Sequence, residues 1–244
     1  MVNKWLCKLA SITLSLSLMS FSAIAEDEVN PADPWEGFNR SVFTFNDTLD
    51  TYISRPVAVV YNKVMPQRLD DGVSNVFSNL ADVVVIVNDL LQGKFKQGGQ
   101  DLGRFLVNST VGIAGLVDVG SRIGLDKNEE DFGQTLGYWG VDAGPYLMLP
   151  LYGPSTVRDA FGSVVNSQLD LVRYVDHVPT RNQLYGLRMI DKRDAYLELE
   201  DAIFGDKYTY LRDVYLQRRA FLVNDGEVED PFGEDGEEIE YDFE

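Results

Sequence analysis

Two side chains in this sequence stand in contexts that are typical of catalysis. Ser155 lies in Gly153-Pro154-Ser155-Thr156-Val157, which has the first glycine of a nucleophile elbow but lacks the second. His177 is the only histidine of the chain and precedes Pro179 in a polar turn. We therefore interpret Ser155 as a helix cap and His177 as an exposed turn residue, and we predict no catalytic residue.

Acidic residues are the other source of chemistry. The 244 residues include 39 Asp and Glu against 21 Lys and Arg, a formal net charge of −18. Asp70-Asp71 and Glu129-Glu130-Asp131 lack the alternation of a calcium loop, which favours solvated turns. A carboxylate pair of the glycosidase kind stays open, because no pair stands out.

Composition excludes several classes of protein. The negative charge excludes sequence-independent binding to nucleic acids. One Cys and one His exclude thiolate zinc sites and disulfide scaffolds. We predict no metal, no cofactor and no enzymatic activity.

The first 25 residues have the pattern of a cleavable signal peptide. Lys4 and Lys8 are followed by an apolar run from Leu9 to Met19 and by a small-x-small site, Ala23-Ile24-Ala25. We predict export and cleavage after Ala25, with an uncleaved anchor helix as the alternative. Cys7 precedes the apolar run, so it does not fit the cysteine of a lipoprotein signal.

The C-terminal segment is strongly acidic. Residues Asp225 to Glu244 contain eleven acidic residues and no basic ones, which predicts disorder. Such a tail either raises solubility or docks on a basic partner. The predicted organisation is therefore a signal peptide (1–25), one helical domain (26–224) and an acidic tail (225–244).

Helical periodicity begins the domain. Asp33-Pro34-Trp35-Glu36 has the pattern of a capping box with proline at the first helical position. Pro56 should end or bend the first helix. Further helices are predicted to about Met65, from about 70 to 92 with Gly93 as cap, and from 95 to 107. Apolar residues at helical spacing form one face of the first helix: Trp35, Phe38, Val42, Phe45, Leu49 and Tyr52.

Glycine and proline interrupt the middle of the chain. Fourteen of the 21 glycines lie between Gly93 and Gly162. Those from Gly133 to Gly144 are predicted to break any regular element from Phe132 onward. Pro145 to Tyr152 is predicted to form two short strands or an extended loop.

Helices return after the hairpin region. Ser155 is predicted to cap a helix to about Asp170, and Thr180 a long helix that ends before Gly205. The last helix, from about Asp206 to Val223, is predicted to turn these apolar residues inward: Leu211, Val214, Tyr215, Phe221 and Leu222. The fold class is therefore all-α, a compact bundle of short amphipathic helices with at most a hairpin.

No apolar run of eighteen residues follows the signal, so no ordinary membrane-spanning helix is expected. The longest uncharged stretches, Phe105 to Val117 and Ala143 to Val157, have the length of segments buried in a core or in half a bilayer.

A series of motifs resembles the MlaA (VacJ) family of outer-membrane lipoproteins. The strongest block is Asp131-Phe132-Gly133-Gln134-Thr135-Leu136-Gly137. The resemblance covers about residues 31 to 224 and includes, in order, Asp33 to Arg40, Phe45-Asn46, Arg55 to Ala58, Asn88 with Leu91 to Gly93, Arg104-Phe105, Asn108 to Thr110, Gly144 to Tyr146, Leu149-Pro150, Gly153 to Thr156 and Arg158-Asp159.

This resemblance implies an α-helical ring in the inner leaflet of the Gram-negative outer membrane, with an amphipathic pore and no catalysis. It implies that the protein associates with a trimeric outer-membrane porin and acts as a passive channel, which moves phospholipid from the outer leaflet to the periplasmic carrier MlaC and so maintains the lipid asymmetry of the outer membrane. Typical members carry a lipidated cysteine at the mature N-terminus, which this sequence lacks at the expected place.

The resemblance and the residue types together give candidate sites. The residues that we expect to line the lipid path are Asn108, Ser109, Thr110, Gln134, Thr135, Arg158 and Asp159. The alternative for Arg158 and Asp159 is an ion pair in the first turn of a helix. For gating we expect Gly133, Gly137, Gly140, Gly144 and Pro145, and Gly137→Ala with Gly140→Ala should change lipid flux more than stability. For membrane anchorage we expect Trp35, Phe38, Phe45, Tyr52 and Val85.

Two other functions stay open at this point. A soluble periplasmic lipid carrier would also be amphipathic and free of cysteine. A carboxylate-dependent envelope hydrolase would depend on a single Asp or Glu.

Overall fold

The structure is a computed structural model, and it describes residues 30–197 and 205–227. The signal peptide, residues 198–204 and most of the acidic tail lie outside the described residues, and the long helix predicted to end before Gly205 ends at Ala195. Ala32 begins a compact unit that contains all the helices and strands described here.

Helices make up most of the described chain. They are joined by a π-helical turn, Asp50–Ser54, a short 3₁₀ helix, Leu171–Tyr174, and one antiparallel hairpin. In order, the elements are α1 (Glu36–Leu49), α2 (Arg55–Val64), α3 (Gln67–Leu91), α4 (Phe95–Thr110), α5 (Val119–Arg122), α6 (Phe132–Tyr138), β1 (Tyr146–Leu149), β2 (Gly153–Thr156), α7 (Val157–Leu169), α8 (Val178–Ala195) and α9 (Lys207–Val223). The all-α class with one hairpin is confirmed.

The start of α1 differs from the predicted capping box. No side chain caps this helix. Asp33 is instead buried, where its carboxylate accepts hydrogen bonds from the Asn39 amide at 2.8 Å and from the Tyr208 hydroxyl. Asp33 bonds these two donors instead of capping α1, because a buried carboxylate is costly unless it is fully hydrogen-bonded.

Pro56 does not end the helical path between α1 and α2, which continues through the π-helical turn. Proline has no N–H to donate to the carbonyl four residues earlier. The π-helical turn Asp50–Ser54 lies directly before it, and Pro56 then occupies the first turn of α2. Wider turns of this kind are frequent at functional sites.

Helix α3 is the element that bears on the expected absence of a membrane-spanning helix. Within the described residues, this 25-residue helix alone is long and apolar enough, by length and composition, to cross a membrane. A core helix passes the same test, and α3 carries buried polar residues, among them Asn79, Asp82 and Asn88. Its C-terminal Gly93 has φ +77°, which confirms the predicted cap.

The hairpin is held on α1 by two asparagines. Asn39 donates to the Tyr146 carbonyl at 3.0 Å and accepts from the Met148 amide at 2.8 Å. Asn46 donates to the carbonyl of Leu149 and accepts from the amide of Leu151. Each side chain supplies the partners that a neighbouring strand would otherwise give to an edge.

Helix α6 forms where glycine was predicted to break regular structure. Asp131 caps its first turn, accepting from the Gln134 amide at 2.9 Å. Gly133 and Gly162 let α6 and α7 approach closely: a Cβ at Gly162 would lie 2.5 Å from the Gly133 nitrogen. These glycines are therefore required for packing, which outweighs their low helix propensity.

Two other predicted caps are displaced by one turn or less. Thr156, not Ser155, caps α7 by accepting from the Asp159 amide, and Ser155 belongs to β2. His177, not Thr180, caps α8. On α9, Val214 and Phe221 are exposed, although they were predicted to point inward.

The buried side chains are mostly polar and many large apolar side chains are exposed, which is the reverse of the pattern in a soluble helical bundle. Among the described residues, the buried positions hold seven hydrophobic and twenty polar or charged side chains. Large hydrophobic side chains are instead exposed along nearly every helix, for example Phe95, Phe161 and Val164. Such extensive apolar exposure marks a contact with membrane or protein.

We predict that Gly162→Ala lowers the free energy of unfolding by about 1–3 kcal/mol, because the added methyl overlaps the α6 backbone. The control is Gly186→Ala in the middle of α8, where a Cβ meets nothing within 4 Å and stability should rise by about 0.5–1 kcal/mol. Denaturant unfolding in detergent measures both; equal effects would contradict the packing role.

Candidate functional site

An apolar pocket lies where α1, the hairpin, α8 and α9 meet. Its volume is about 400 Å³, within the range of ligand-binding cavities. The walls are mostly apolar and aromatic, with charged residues among them: Phe43, Asn46, Asp47, Asp50, Met148, Gly153, Pro154, Arg193, Tyr196, Lys207, Tyr210, Leu211 and Val214.

The two cations of this pocket are paired. Lys207 contacts Asp47 at 2.6 Å. Arg193 donates to both carboxylate oxygens of Asp50, at 2.6 and 2.8 Å. Asp50 is the first residue of the π-helical turn, so the wider turn sets the position of this ion pair on the pocket. An apolar volume beside paired charges suits an amphipathic ligand.

Arg219 organises the polar interior beside α9. Its guanidinium reaches Asp131 at 2.6 Å and Asp159 at 2.8 Å, and the Tyr215 hydroxyl also donates to Asp159. Burial by itself would raise the pKa of Asp159, but the hydrogen bonds and charge of Arg219 outweigh it and hold that pKa below its usual value. Burial by itself would lower the pKa of Arg219, but its hydrogen bonds with Asp131 and Asp159 and their negative charge outweigh burial and raise that pKa.

A second polar network joins α3 and α4. Asp82 is buried and accepts from Lys127 at 2.6 Å, with Arg104 3.6 Å away. Arg104 also reaches Asp118 at 2.6 Å. Further along α3, Asn88 accepts from the Thr135 hydroxyl at 2.8 Å. One face of α3 is therefore polar and lies inside the protein, where Asp82 and Asn88 contact neighbouring elements.

The seven lipid-path candidates are split between these networks, and none of them lines the apolar pocket. Asn108 donates to Asp118 and accepts from the Gly120 amide. Ser109 accepts from Asn79, and the Thr110 hydroxyl donates to the Leu106 carbonyl of the same helix. The other four belong to α6 and α7. The Gln134 amide donates to the capping Asp131, and the Thr135 hydroxyl donates to Asn88. Arg158 contacts Asp159 at 3.1 Å. Their part in a lipid path stays a prediction.

The gating candidates also divide. A Cβ at Gly137 would lie 2.7 Å from Val223, so Gly137→Ala should disturb packing and cannot serve as the flux-selective change expected above. Gly140 and Gly144 lie outside the helices with φ of +86° and +67°, and the Pro145 carbonyl accepts from the Val157 amide. Gating itself stays a prediction.

Four of the five anchorage candidates lie on the exposed side of α1 and the π-helical turn: Trp35, Phe38, Phe45 and Tyr52, with exposed fractions of 46%, 43%, 52% and 78%. Val85 is different. It is only 5% exposed and contacts protein, so the expectation that it anchors the chain in lipid is corrected.

Sequence reasoning missed the apolar pocket, although part of its signal is periodic. Lys207, Tyr210, Leu211 and Val214 lie at positions i, i+3, i+4 and i+7 of α9, which is one helix face. The opposing wall comes from α1, far away in sequence. Within the described residues, no group of three or more His, Cys, Asp or Glu side chains could hold a metal ion.

Comparison with known proteins gives consistent matches. The profile of the MlaA lipoprotein family matches residues 31–222. The chain is 35% identical over 228 residues to the intermembrane phospholipid transport system lipoprotein MlaA of Escherichia coli (strain K12), covering 91% of this chain and 90% of the relative. It is also 35% identical over 195 residues to an uncharacterised protein of Rickettsia prowazekii, with 78% of each covered.

A solved structure matches as well. It was described in work on the structural basis for maintenance of bacterial outer membrane lipid asymmetry. The TM-score is 0.70 at 36% sequence identity, and the match covers 79% of this chain and 99% of the other.

We predict that Arg219→Gln destabilises the protein by about 1–3 kcal/mol at neutral pH, since Asp131 loses its guanidinium partner and Asp159 keeps only Arg158 as a cation. The pKa of Asp159 is lower in the folded protein than in the unfolded chain, so the ionised carboxylate stabilises the fold above the unfolded pKa. This stabilisation is lost as the pH falls through the folded pKa. The deficit of the variant should therefore shrink toward pH 4, where the carboxylates that have lost Arg219 become protonated.

The matched control is the neighbouring Arg218→Gln. Arg218 forms an exposed pair with Glu129, so its loss should cost about 0–1 kcal/mol. Thermal unfolding followed by circular dichroism between pH 4 and 8 measures both variants. A pH-independent deficit for Arg219→Gln would contradict the assignment.

Proposed function

This chain belongs to the MlaA lipoprotein family, and we propose that it provides a passive, partly polar route for phospholipid at the outer membrane. Family membership brings the role named for its relatives, phospholipid transport that maintains outer-membrane lipid asymmetry.

The inverted burial is the observation that carries the proposal. Apolar side chains on the outside are stable only against lipid or another apolar surface. Polar side chains inside are stable because nearly every one meets a partner. A protein of this kind can lie in a leaflet on its exposed helix faces while keeping a polar interior away from hydrocarbon.

The apolar pocket supplies a place for acyl chains. Moving a charged headgroup through hydrocarbon is costly, so a transport protein must keep the headgroup near polar groups while the tails stay on apolar surface. Phe43, Leu211 and Val214 offer the apolar surface, and the paired charges beside them offer the polar one. The seven lipid-path candidates remain as further polar positions along the route.

Transport by this route needs no energy from the chain itself. Direction then comes from whichever partner removes lipid. In this proposal the partners are a trimeric outer-membrane porin, which holds the protein at the membrane, and the periplasmic carrier MlaC, which accepts the lipid.

We predict that Phe38→Asp combined with Phe45→Asp releases the protein from membranes during an alkaline wash, because both side chains are exposed on α1 and a charge in lipid is unfavourable. Asn182→Asp with Gln183→Asp, on exposed polar positions of α8, adds the same charge and should leave retention unchanged. Retention of both variants equal to wild type would contradict anchorage by this face.

We also predict that Leu211→Trp slows phospholipid transfer from donor to acceptor vesicles at least about fivefold, because the indole fills the pocket. Phe221→Trp is the control, since Phe221 is exposed on the same helix and outside the pocket. Transfer of fluorescent phospholipid measures the rate, and circular dichroism confirms the fold. Equal transfer by both variants would mean that the pocket is not on the route.

A further inference from the structure

The charges of the apolar pocket are arranged by sign. Both carboxylates come from the α1 side, Asp47 from the helix and Asp50 from the π-helical turn. Both cations come from the opposite side, Arg193 from α8 and Lys207 from α9. The pocket therefore holds two positive and two negative side chains with no net charge.

Both ion pairs can exchange partners. All four side chains are partly exposed, and the pair between Lys207 and Asp47 is the more exposed of the two. Water screens the pair between Lys207 and Asp47, which limits its free energy, whereas Arg193 and Asp50 are 14% and 24% exposed and are screened less. A ligand that offers a new partner to each charge can replace them at little cost.

We propose that Asp47, Asp50, Arg193 and Lys207 make this pocket selective for phospholipids with a zwitterionic, amine-bearing headgroup over phospholipids with a net negative headgroup. This inference rests on the proposed function, since it assumes that the pocket takes phospholipid. It names the class of lipid and the residues that distinguish it.

Partner exchange gives the physical reason. The phosphate of a zwitterionic headgroup pairs with Arg193 or Lys207, and the planar guanidinium suits two phosphate oxygens. The displaced carboxylate then pairs with the headgroup ammonium. A headgroup with phosphate but no amine takes the cation and leaves a carboxylate unpaired, which is unfavourable in a partly buried site.

Aromatic lining adds to the same preference. Tyr196 and Tyr210 belong to the pocket beside the four charges. The face of a tyrosine ring attracts a cation, and ammonium groups of ligands are bound in this way. The acidic chain, with a net charge of −18, also repels lipids of net negative charge.

The test uses the purified full-length protein in detergent and vesicles that contain equal amounts of phosphatidylethanolamine and phosphatidylglycerol with the same acyl chains. After re-isolation, mass spectrometry measures the two lipids bound to the protein. We expect the wild type to hold about three- to fivefold more phosphatidylethanolamine, as expected for pairs of this exposure. Asp47→Lys makes the pocket net positive, and the ratio should fall to one or below.

Two further variants separate the pocket from other effects. Glu129→Lys changes the net charge by the same amount at an exposed position outside the pocket, and it should keep the wild-type ratio. Asp47→Lys combined with Lys207→Asp exchanges the two charges, so the pocket again has no net charge. This double variant should recover the preference even if Asp47→Lys alone folds poorly.

The outcomes distinguish the two claims. Recovery of no phospholipid with any variant would overturn the proposed function. Lipid bound in the one-to-one vesicle ratio, or a ratio shifted equally by Asp47→Lys and Glu129→Lys, would overturn the headgroup preference alone.

Discussion

The bidentate hold of Arg219 on Asp131 and Asp159 is the interaction on which the helical arrangement depends. It joins α9 to the cap of α6 and to the first turn of α7, three elements that are far apart in sequence. A carboxylate as buried as that of Asp159 is stable only if a cation and further donors surround it. The close approach of α6 and α7 at Gly133 and Gly162 brings the two acids within reach of one guanidinium.

Once polar groups fill the interior, apolar side chains must occupy the outside. Asn39 and Asn46 illustrate this on α1, because they hold the hairpin while Phe38 and Phe45 stay exposed on the same helix. The same separation occurs on α3, where Asn79, Asp82 and Asn88 are buried. In water these exposed faces would favour aggregation, and we propose that in a leaflet they supply the free energy of membrane binding. The proposed phospholipid route then uses the same burial pattern that stabilises the fold.

The sequence allowed the prediction of elements better than the prediction of contacts. Helices were predictable because apolar residues recur at helical spacing and because Gly93 marks the end of α3. The predicted cap at Asp33 is wrong although the local pattern is complete, because the Asn39 amide and the distant Tyr208 hydroxyl both donate to this carboxylate inside the protein. Helix α6 was missed because glycine usually opposes helix formation, while here its small size is what packing requires.

The candidate site was predictable only in part. Trp35, Phe38, Phe45 and Tyr52 were recognisable as one apolar face, although periodicity alone could not tell a face toward lipid from a face toward a core. Val85 shows the limit of that reasoning, since its apolar surroundings in sequence gave no sign that it contacts protein. The pocket combines Phe43 and Asp47 with residues of α8 and α9 more than 140 positions later, and no local pattern joins such distant segments.

The central claim, that apolar faces point to lipid around a polar interior, is tested most directly by tryptophan fluorescence. Trp35 and Trp139 are both about half exposed, and each can be studied as the only tryptophan of a variant reconstituted in vesicles. We predict strong quenching of both by phospholipids with brominated acyl chains and little quenching by aqueous iodide. Strong quenching by iodide with none by brominated lipid would contradict the account.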